Sequence, residues 1–277
     1  MRIDAHQHFW RLDRGDYGWL TPEHGVLYRD YLPDDLRPHL QHHRIDRTIL
    51  VQAAPTVAET EFLLSLADQE PFIGGVVGWV DLEAPDLPAE LDRLARHPKF
   101  VGVRPMLQDL ADDRWIRRPA VRDALALLEE RGIRLDLLTF PRHLPYVLEM
   151  LAERPGLFAV IDHLSKPDIR HRQLEPWRSL IREAAAFERV FCKLSGMVTE
   201  ADHAHWRPDD LKPYVDHVFE VFGPDRVMFG SDWPVCLLAA EYDQVVDALR
   251  QALGPRLDPD VERRVFGLNA ARFYGID

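Results

Sequence analysis

The run RIDAHQH, residues 2–8, is the first of eight short apolar runs of strand length in this chain. The runs are rich in Val, Ile, Leu and Phe, which is typical of buried β-strands. Their starts lie about 32 residues apart on average, which is the size of one strand-and-helix unit. The other seven runs are RTILVQA (47–53), IGGVVGWVDL (73–82), FVGVRPM (100–106), IRLDLLTF (133–140), LFAVIDHL (157–164), VFCKLSG (190–196) and RVMFGSDWP (226–234).

Amphipathic patterns between the runs predict helices. In AETEFLLSLADQE (58–70) apolar residues recur three and four positions apart, as on one face of a helix. RPAVRDALALLEERG (118–132) has Pro119 in its first turn and Gly132 just past its end. The same scheme recurs in LPYVLEMLAERPG (144–156), LKPYVDHVFEVFGPD (211–225) and DPDVERRVFGLNAARFYG (258–275). We expect the last of these to complete the ring of helices.

Eight strands that alternate with helices predict an α/β fold, namely a (β/α)8 barrel of the TIM type. An open, doubly wound sheet is the alternative, but no GxGxxG motif follows any of the runs to favour it. No linker or repeat divides the 277 residues, so we expect a single domain over 1–277. The long connection 9–46 is rich in aromatic residues and is predicted to form a lid over the barrel mouth. Its aromatic residues include Trp10, Tyr17, Trp19 and Tyr28.

The composition limits the possible partners. A formal net charge of -12 disfavours contact with phosphate backbones, so we expect no nucleic-acid partner. No apolar run is long enough for a membrane span, and the first residues lack the pattern of a signal peptide. Cys192 and Cys236 form no CxxC pair, which predicts a reducing, cytoplasmic location. The sequence does not indicate an oligomeric state.

Polar side chains stand where the predicted strands end. In a (β/α)8 barrel the carboxyl ends of the strands face the reaction site, and an ordinary barrel interior would have Val, Ile and Leu there. This pattern therefore predicts an active site at that end. In chain order the residues are His6, His8, Gln52, Trp79, Asp81, Arg104, Asp136, His163, Lys193, Ser195 and Asp232.

His6 and His8 are two residues apart on a strand, so both rings face the same way. Two converging imidazoles can bind a divalent metal such as Zn²⁺, and His163 and Asp232 add two further ligands to this candidate single site. The alternative is a pair of histidines satisfied by hydrogen bonds. For Asp232, a general base that takes a proton from water is weighed against a carboxylate that caps the next helix.

Arg104 in GVRP suits the recognition of a carboxylate, carbonyl or hydroxyl-rich ligand, with a structural ion pair as the alternative. Trp79 and Trp233 either stack on a ligand or only pack. A nucleophilic enzyme fits poorly, because there is no GxSxG elbow and Ser195 has no neighbouring base in the sequence.

Eight motifs recur in order along the chain, namely IDAHQHFW, VQA, GVVGWVDL, GVRP, LDLLTFP, DHLSKP, CKLSGM and MFGSDWPVC. Together they resemble the amidohydrolase superfamily, and specifically its sugar-lactonase branch, which includes L-fuconolactone and L-rhamnonolactone hydrolases. The 2-pyrone-4,6-dicarboxylate lactonases are more distant relatives. The resemblance extends from residue 2 to NAARFYG (269–275).

The resemblance implies a distorted (β/α)8 barrel that hydrolyses a cyclic ester, with His6, His8, His163 and Asp232 as its catalytic residues. Two-metal members of the superfamily also have a bridging Lys or Glu on strand 4 and a histidine on strand 5. Here strand 4 ends in Arg104, and LDLLTF contains neither residue. We therefore expect one divalent metal or none, and an activity that does not require the metal.

The predicted function is the opening of a sugar-acid lactone, such as L-fuconolactone, by water that Asp232 activates. A small sugar lactone is then the partner, and its ring would contact residues at the strand ends. These are Arg104, Gln52, Trp79, Asp81, Ser195 and Trp233. A metal-dependent decarboxylase of the same superfamily is the alternative, and a sugar-binding barrel without catalysis is a third possibility.

Overall fold

The computed structural model describes residues 1–276, in which eight parallel strands pair in chain order around one sheet. The end of β1 pairs with the segment after β8: the Asp232 amide donates to the His6 carbonyl at 2.8 Å, and the His8 amide to the Trp233 carbonyl at 2.8 Å. The strands are β1 (Ile3–Gln7), β2 (Arg47–Val51), β3 (Ile73–Gly78), β4 (Phe100–Val103), β5 (Arg134–Leu137), β6 (Ala159–Ile161), β7 (Val190–Leu194) and β8 (Val227–Phe229).

One helix follows each strand, so the predicted (β/α)8 barrel is confirmed and the open sheet is excluded. Asp277, the last residue of the expected domain 1–277, lies outside the described residues. The helices of the ring are α1 (Pro33–His43), α2 (Val57–Gln69), α3 (Leu87–Leu94), α4 (Pro119–Arg131), α5 (Leu144–Glu153), α6 (Trp177–Ala185), α7 (Pro208–Phe222) and α8 (Tyr242–Leu253).

Local sequence signals explain several helix ends. The Thr56 hydroxyl accepts the Glu59 amide at 3.0 Å and caps α2. Pro119 begins α4, and Gly132 ends it with a left-handed φ of 66°. Within residues 1–276, no helix combines the length and the apolar composition needed to cross a membrane.

The expectation that 258–275 completes the ring is wrong, because α8 takes that place. The segment instead forms α9 (Pro259–Arg263), a π-helical turn and α10 (Asn269–Tyr274). Its residues Phe273 and Tyr274 join the apolar cluster inside the barrel, where Phe273 packs against Phe191 of β7. The Asn269 side chain also donates to the Pro224 and Val227 carbonyls at the start of β8, at 2.8 and 2.7 Å. The C-terminal segment therefore closes the amino-terminal end of the barrel.

The strands are shorter than the apolar runs that predicted them. β6 ends at Ile161 and β8 at Phe229, so His163 and Asp232 follow their strands instead of ending them. Both residues have left-handed backbones, with φ of 52° and 57°. The turn after each strand, and not the strand pleat, therefore directs these two side chains.

Candidate active site

A cavity of about 250 Å³ opens at the carboxyl end of the barrel. Four predicted site residues line it, and these are His8, Arg104, His163 and Asp232. Trp19 of the predicted lid also lines it, together with four polar residues that were not predicted as site residues, namely His24, Gln108, Asp109 and Lys166. Apolar side chains complete the wall, among them Leu27, Met106, Leu138 and Leu238.

The connection 9–46 lies over the cavity, as expected of a lid. Trp19, His24 and Leu27 come from this connection and line the wall. The Trp19 indole donates to the Ala53 carbonyl after β2 at 2.7 Å, and it packs edge-on against the buried Trp10. The lid is thus anchored to the barrel by a hydrogen bond and by aromatic packing.

A left-handed turn brings His163 into the site. Residues 163–166 all have positive φ, between 48° and 59°, although none of them is glycine. Such a backbone is strained by about 1–2 kcal/mol per residue. Gly196 makes the turn possible, because a Cβ at that position would lie 2.5 Å from Nδ1 of His163. The same turn places Lys166 in the cavity wall, so the DHLSKP motif supplies two site residues.

Four side chains converge at the base of the cavity. Nε2 of His6 lies 3.2 Å from Nε2 of His8. Oδ1 of Asp232 lies 3.3 Å from Nε2 of His8, 3.7 Å from Nε2 of His6 and 3.8 Å from Nε2 of His163. All four are buried, so the site excludes bulk water from its base.

Burial controls the charges of these groups. It lowers the pKa of His163 to about 4, and it also lowers the pKa values of His6 and His8. Burial alone would raise the pKa of Asp232, but the three surrounding histidines hold that pKa below its usual range. At neutral pH the site therefore contains a carboxylate among neutral imidazoles.

Each histidine has a further contact through its other ring nitrogen. Nδ1 of His8 lies 2.8 Å from the Val51 carbonyl, and Nδ1 of His163 lies 2.9 Å from the Ser195 hydroxyl. Ser195 thus orients His163 and does not itself line the cavity. Nδ1 of His6 lies 3.0 Å from the Lys193 ammonium.

Arg104 has two roles in the structure. It lines the cavity, and its Nη1 also lies 3.4 Å from Oδ2 of Asp162, so the predicted alternatives of ligand contact and ion pair occur together. Its Nη2 donates to the Gln52 carbonyl, while the Gln52 side chain donates to the Arg104 carbonyl at 2.8 Å. Gln52 therefore holds Arg104 and does not line the cavity.

Three predicted contact residues lie elsewhere. Trp79 and Asp81 line a neighbouring cavity, which shares Trp19 with the first. Trp233 is buried and packs edge-on against Phe9 and Tyr31, which corresponds to the packing alternative. The strand-end rule fails for these three, because a position at or after a strand end does not show which cavity a side chain reaches.

A buried charge network lies beneath the histidines. The Lys193 ammonium is 2.5 Å from Oδ2 of Asp136 and 3.0 Å from Oδ1 of Asp162. The Tyr274 hydroxyl donates to the Asp136 carboxylate from below. The sequence placed Asp136 and Lys193 at strand ends without a role, and Asp162 was missed although it precedes His163 in the motif.

The donor set fits one divalent metal. In a tetrahedral zinc site the ligand atoms lie about 3.3 Å apart. His6, His8 and Asp232 come close to this, with separations of 3.2–3.7 Å. His163 lies 3.8 Å from Asp232 but outside the group whose ligand atoms are all within 4.8 Å of one another. A second group, His6, Asp162 and His163, also has suitable ligand types. It does not fit a second cation, because the Lys193 ammonium already contacts His6 and Asp162.

Comparison with known proteins gives a consistent assignment. The amidohydrolase family model matches residues 3–276. An L-fucono-1,5-lactonase of Burkholderia ambifaria is 44% identical over 281 residues, which cover 100% of this chain and 96% of that protein. A crystal structure of an amidohydrolase from Burkholderia multivorans with bound zinc is 42% identical, has a TM-score of 0.94, and both chains are covered completely.

More distant structures share only the fold. A 2,6-dihydroxybenzoate decarboxylase is 16% identical with a TM-score of 0.72, and 99% of each chain is covered. The family model and the full-length relative, by contrast, both extend over the barrel, the lid and the C-terminal segment. The protein therefore belongs to the amidohydrolase family.

Proposed function

We propose that this protein hydrolyses the cyclic ester of a sugar-acid lactone, with an aldonolactone such as L-fuconolactone as the substrate class. The observation that carries the proposal is the convergence of Asp232, His8, His163 and Arg104 on one cavity, in a chain 44% identical over its full length to an L-fucono-1,5-lactonase. The decarboxylase alternative has only a shared fold in its favour.

In the proposed reaction Asp232 takes a proton from water, and the water oxygen bonds to the lactone carbonyl carbon. The ester bond to the ring oxygen then breaks, and that oxygen leaves with a proton as a hydroxyl group. The product is an open hydroxy acid, which releases one proton at neutral pH. A general base of this kind contributes about a hundredfold to ten-thousandfold to the rate.

The negative charge that develops on the carbonyl oxygen has to be stabilised by hydrogen-bond donors or cations. Arg104 faces the cavity with a guanidinium that Asp162 and Gln52 hold in place. Lys166 is a second cation in the wall, 3.8 Å from Glu200, and its side chain is 19% exposed. We assign to these two cations the orientation of the lactone and of the carboxylate that forms from it.

The remaining predicted contact residues do not line the first cavity. Gln52 acts through Arg104, and Ser195 acts through His163. Trp79 and Asp81 would contact only a substrate that extends into the neighbouring cavity. Trp233 supports the end of the barrel by packing.

Of the four predicted ligands, His6, His8 and Asp232 would hold a divalent metal, which when bound would polarise an oxygen as a Lewis acid. A carboxylate that is bound to a metal is a weaker base. In the proposed mechanism Asp232 therefore accepts the proton, while His8 and His163 shape the bottom of the cavity.

A panel of aldonolactones tests the function. Purified protein is mixed with each lactone and a pH indicator, and the spontaneous rate is subtracted. We expect acid release that is proportional to the protein concentration for at least one six-carbon lactone, without release of CO2. Acid release no faster than the background across the panel would contradict the proposal, and CO2 release from dihydroxybenzoates would favour the decarboxylase.

A further inference from the structure

The buried ammonium of Lys193 has three partners inside the barrel. Its Nζ lies 2.5 Å from Oδ2 of Asp136, 3.0 Å from Oδ1 of Asp162 and 3.0 Å from Nδ1 of His6. An ammonium group carries three protons and accepts none. Its hydrogen bonds go to Asp136 and His6, and the Asp162 contact is an ion pair. Because the ammonium can only donate, Nδ1 of His6 has to accept from it, although Oδ1 of Asp162 lies 3.5 Å from the same nitrogen.

The contacts of His8 independently indicate which nitrogen of His6 carries the proton. Its Nδ1 lies 2.8 Å from the Val51 carbonyl, which can only accept, so Nδ1 of His8 carries the proton. In a neutral imidazole the other nitrogen is then an acceptor. Nε2 of His8 is thus a bare lone pair, and it lies 3.2 Å from Nε2 of His6.

Two lone pairs at that distance would repel each other, and Oδ1 of Asp232 lies only 3.3 Å from Nε2 of His8. A proton on Nε2 of His6 removes the repulsion between the two nitrogens, because it can be donated to Nε2 of His8. The contact between Asp232 and Nε2 of His8 is left without a proton between its atoms. Nη1 of Arg104 also approaches Nε2 of His6, but at 3.4 Å and while it is shared with Asp162. The two shorter contacts of His6 agree on one tautomer.

We propose that Lys193 is a positioning residue that holds His6 with its proton on Nε2. The result is a chain of hydrogen bonds with one direction, from the Lys193 ammonium to His6, from His6 to His8, and from His8 to the Val51 carbonyl. None of these three hydrogen bonds requires a metal.

This arrangement makes the predicted metal ligands unequal. His8 presents a free Nε2 to the cavity, and its Nδ1–H contact with a carbonyl is the usual partner of a metal-binding histidine. His6 would have to lose its Nε2 proton before it could bind a metal, while its Nδ1 faces a cation in place of the usual acceptor. The ammonium of Lys193 therefore weakens His6 as a ligand and favours the metal-free form of the site.

The test measures the tautomers directly in metal-free protein that is labelled with ¹⁵N-histidine. Long-range ¹H–¹⁵N correlation spectra distinguish the two neutral tautomers, and loss of signals in His6→Asn and His8→Asn assigns the two rings. We expect the Nε2–H form for His6 and the Nδ1–H form for His8. A His6 population that is more than half Nδ1–H would overturn the proposal. The measurement needs no substrate, so its outcome is independent of the lactone assays.

A variant tests the part played by Lys193. Lys193→Met combined with Asp136→Asn removes the ammonium together with one carboxylate, so no net charge is added to the barrel. We expect His6 to shift toward the Nδ1–H form, donating to Asp162, and Zn²⁺ affinity measured by chelator competition to rise by about tenfold. Lys166→Met removes a cavity lysine that does not contact His6 and should leave the His6 spectrum unchanged. An unchanged His6 tautomer in the folded double variant would overturn the role of Lys193, and if that variant does not fold, the spectrum of the unaltered protein decides.

Discussion

At the scale of single residues, backbone conformation and buried partners determine what the strand-end side chains can do. Asp232 is held by the pairing of its amide with the His6 carbonyl, and Oδ1 lies within 4 Å of three imidazoles. His163 depends on a left-handed turn and on the absence of a side chain at Gly196. Both residues are therefore sensitive to small changes.

Asp232→Asn should lower kcat/KM by about a hundredfold to ten-thousandfold, because an amide of the same shape cannot take a proton from water. Circular dichroism and the melting temperature should show that the fold is retained. Asp68→Asn, at a carboxylate that is 70% exposed, serves as the control with unchanged kinetics. Near-normal turnover by the folded Asp232 variant would show that another group is the base.

Gly196→Ala should displace the His163 ring, because the new Cβ would lie 2.5–2.6 Å from Nδ1 and Cγ of that ring. We expect activity to fall by at least about tenfold, since a small misplacement in a catalytic site costs that much or more. Gly132→Ala is the matched control. Its φ of 66° is also left-handed, but the nearest atom to the new Cβ is 3.7 Å away. Both variants should lose stability, and equal activity in the two would contradict this account of His163.

At the scale of elements, the C-terminal segment and the lid close the two ends of the barrel. α10 inserts Phe273 and Tyr274 beneath the interior cluster, and Tyr274 reaches the Asp136 carboxylate. The lid covers the other end through Trp19. The segment below supports the barrel, whereas the lid shapes the cavity.

Asn269→Ala should destabilise the protein without changing its kinetics. The buried Asn269 amide donates to two backbone carbonyls, and the loss of these bonds leaves both acceptors unpaired at a cost of about 1–3 kcal/mol. Chemical denaturation measures the change. Gln173→Ala removes an exposed side-chain bond to a carbonyl and should cost less than about 0.5 kcal/mol. A large change in KM for the Asn269 variant would contradict a purely supporting role.

At the scale of the whole molecule, neutral buried histidines at the base of the cavity couple folding to pH. In the folded protein the pKa of His163 is lowered to about 4, and those of His6 and His8 are lowered as well. In the unfolded chain such groups take up protons near pH 6.5. The unfolded state therefore binds more protons as the pH falls below that value.

The free energy of unfolding should consequently decrease as the pH is lowered from about 6.5 to 5. Denaturant titrations at several pH values measure the slope. His163→Gln should flatten it, because one proton-binding difference is removed. Stability that stays constant or rises over this interval would contradict the burial of neutral imidazoles.

Exhaustive chelation should leave lactone hydrolysis largely intact, because Asp232 and the cations of the wall do not depend on a metal for their positions. Elemental analysis before and after treatment should find at most one metal per chain. Two tightly held metals, with activity lost and restored in step with them, would show that the Lys193 ammonium does not exclude a second cation.

The sequence by itself determined the barrel, and it placed the candidate site at the carboxyl end of the strands. Regular alternation of strands and helices leaves few ways to bury the apolar runs, and His6, His8, His163 and Asp232 stand at or just after the strand ends that such a barrel brings together. The C-terminal segment was wrongly predicted to complete the outer ring of helices. An amphipathic pattern indicates that one face is buried, but not against which surface.

Only the tertiary structure decided which polar residues share one cavity and which of them are hydrogen-bonded to each other. Lys193 and His6 are in contact although 187 positions separate them, and such a pairing leaves no periodic trace in the sequence. Gln52 and Ser195 were assigned to the substrate because a strand-end position does not show whether a side chain reaches the cavity or a neighbouring residue. Hydrogen-bond partners in a barrel are set by closure of the whole ring, and a local pattern does not contain that information.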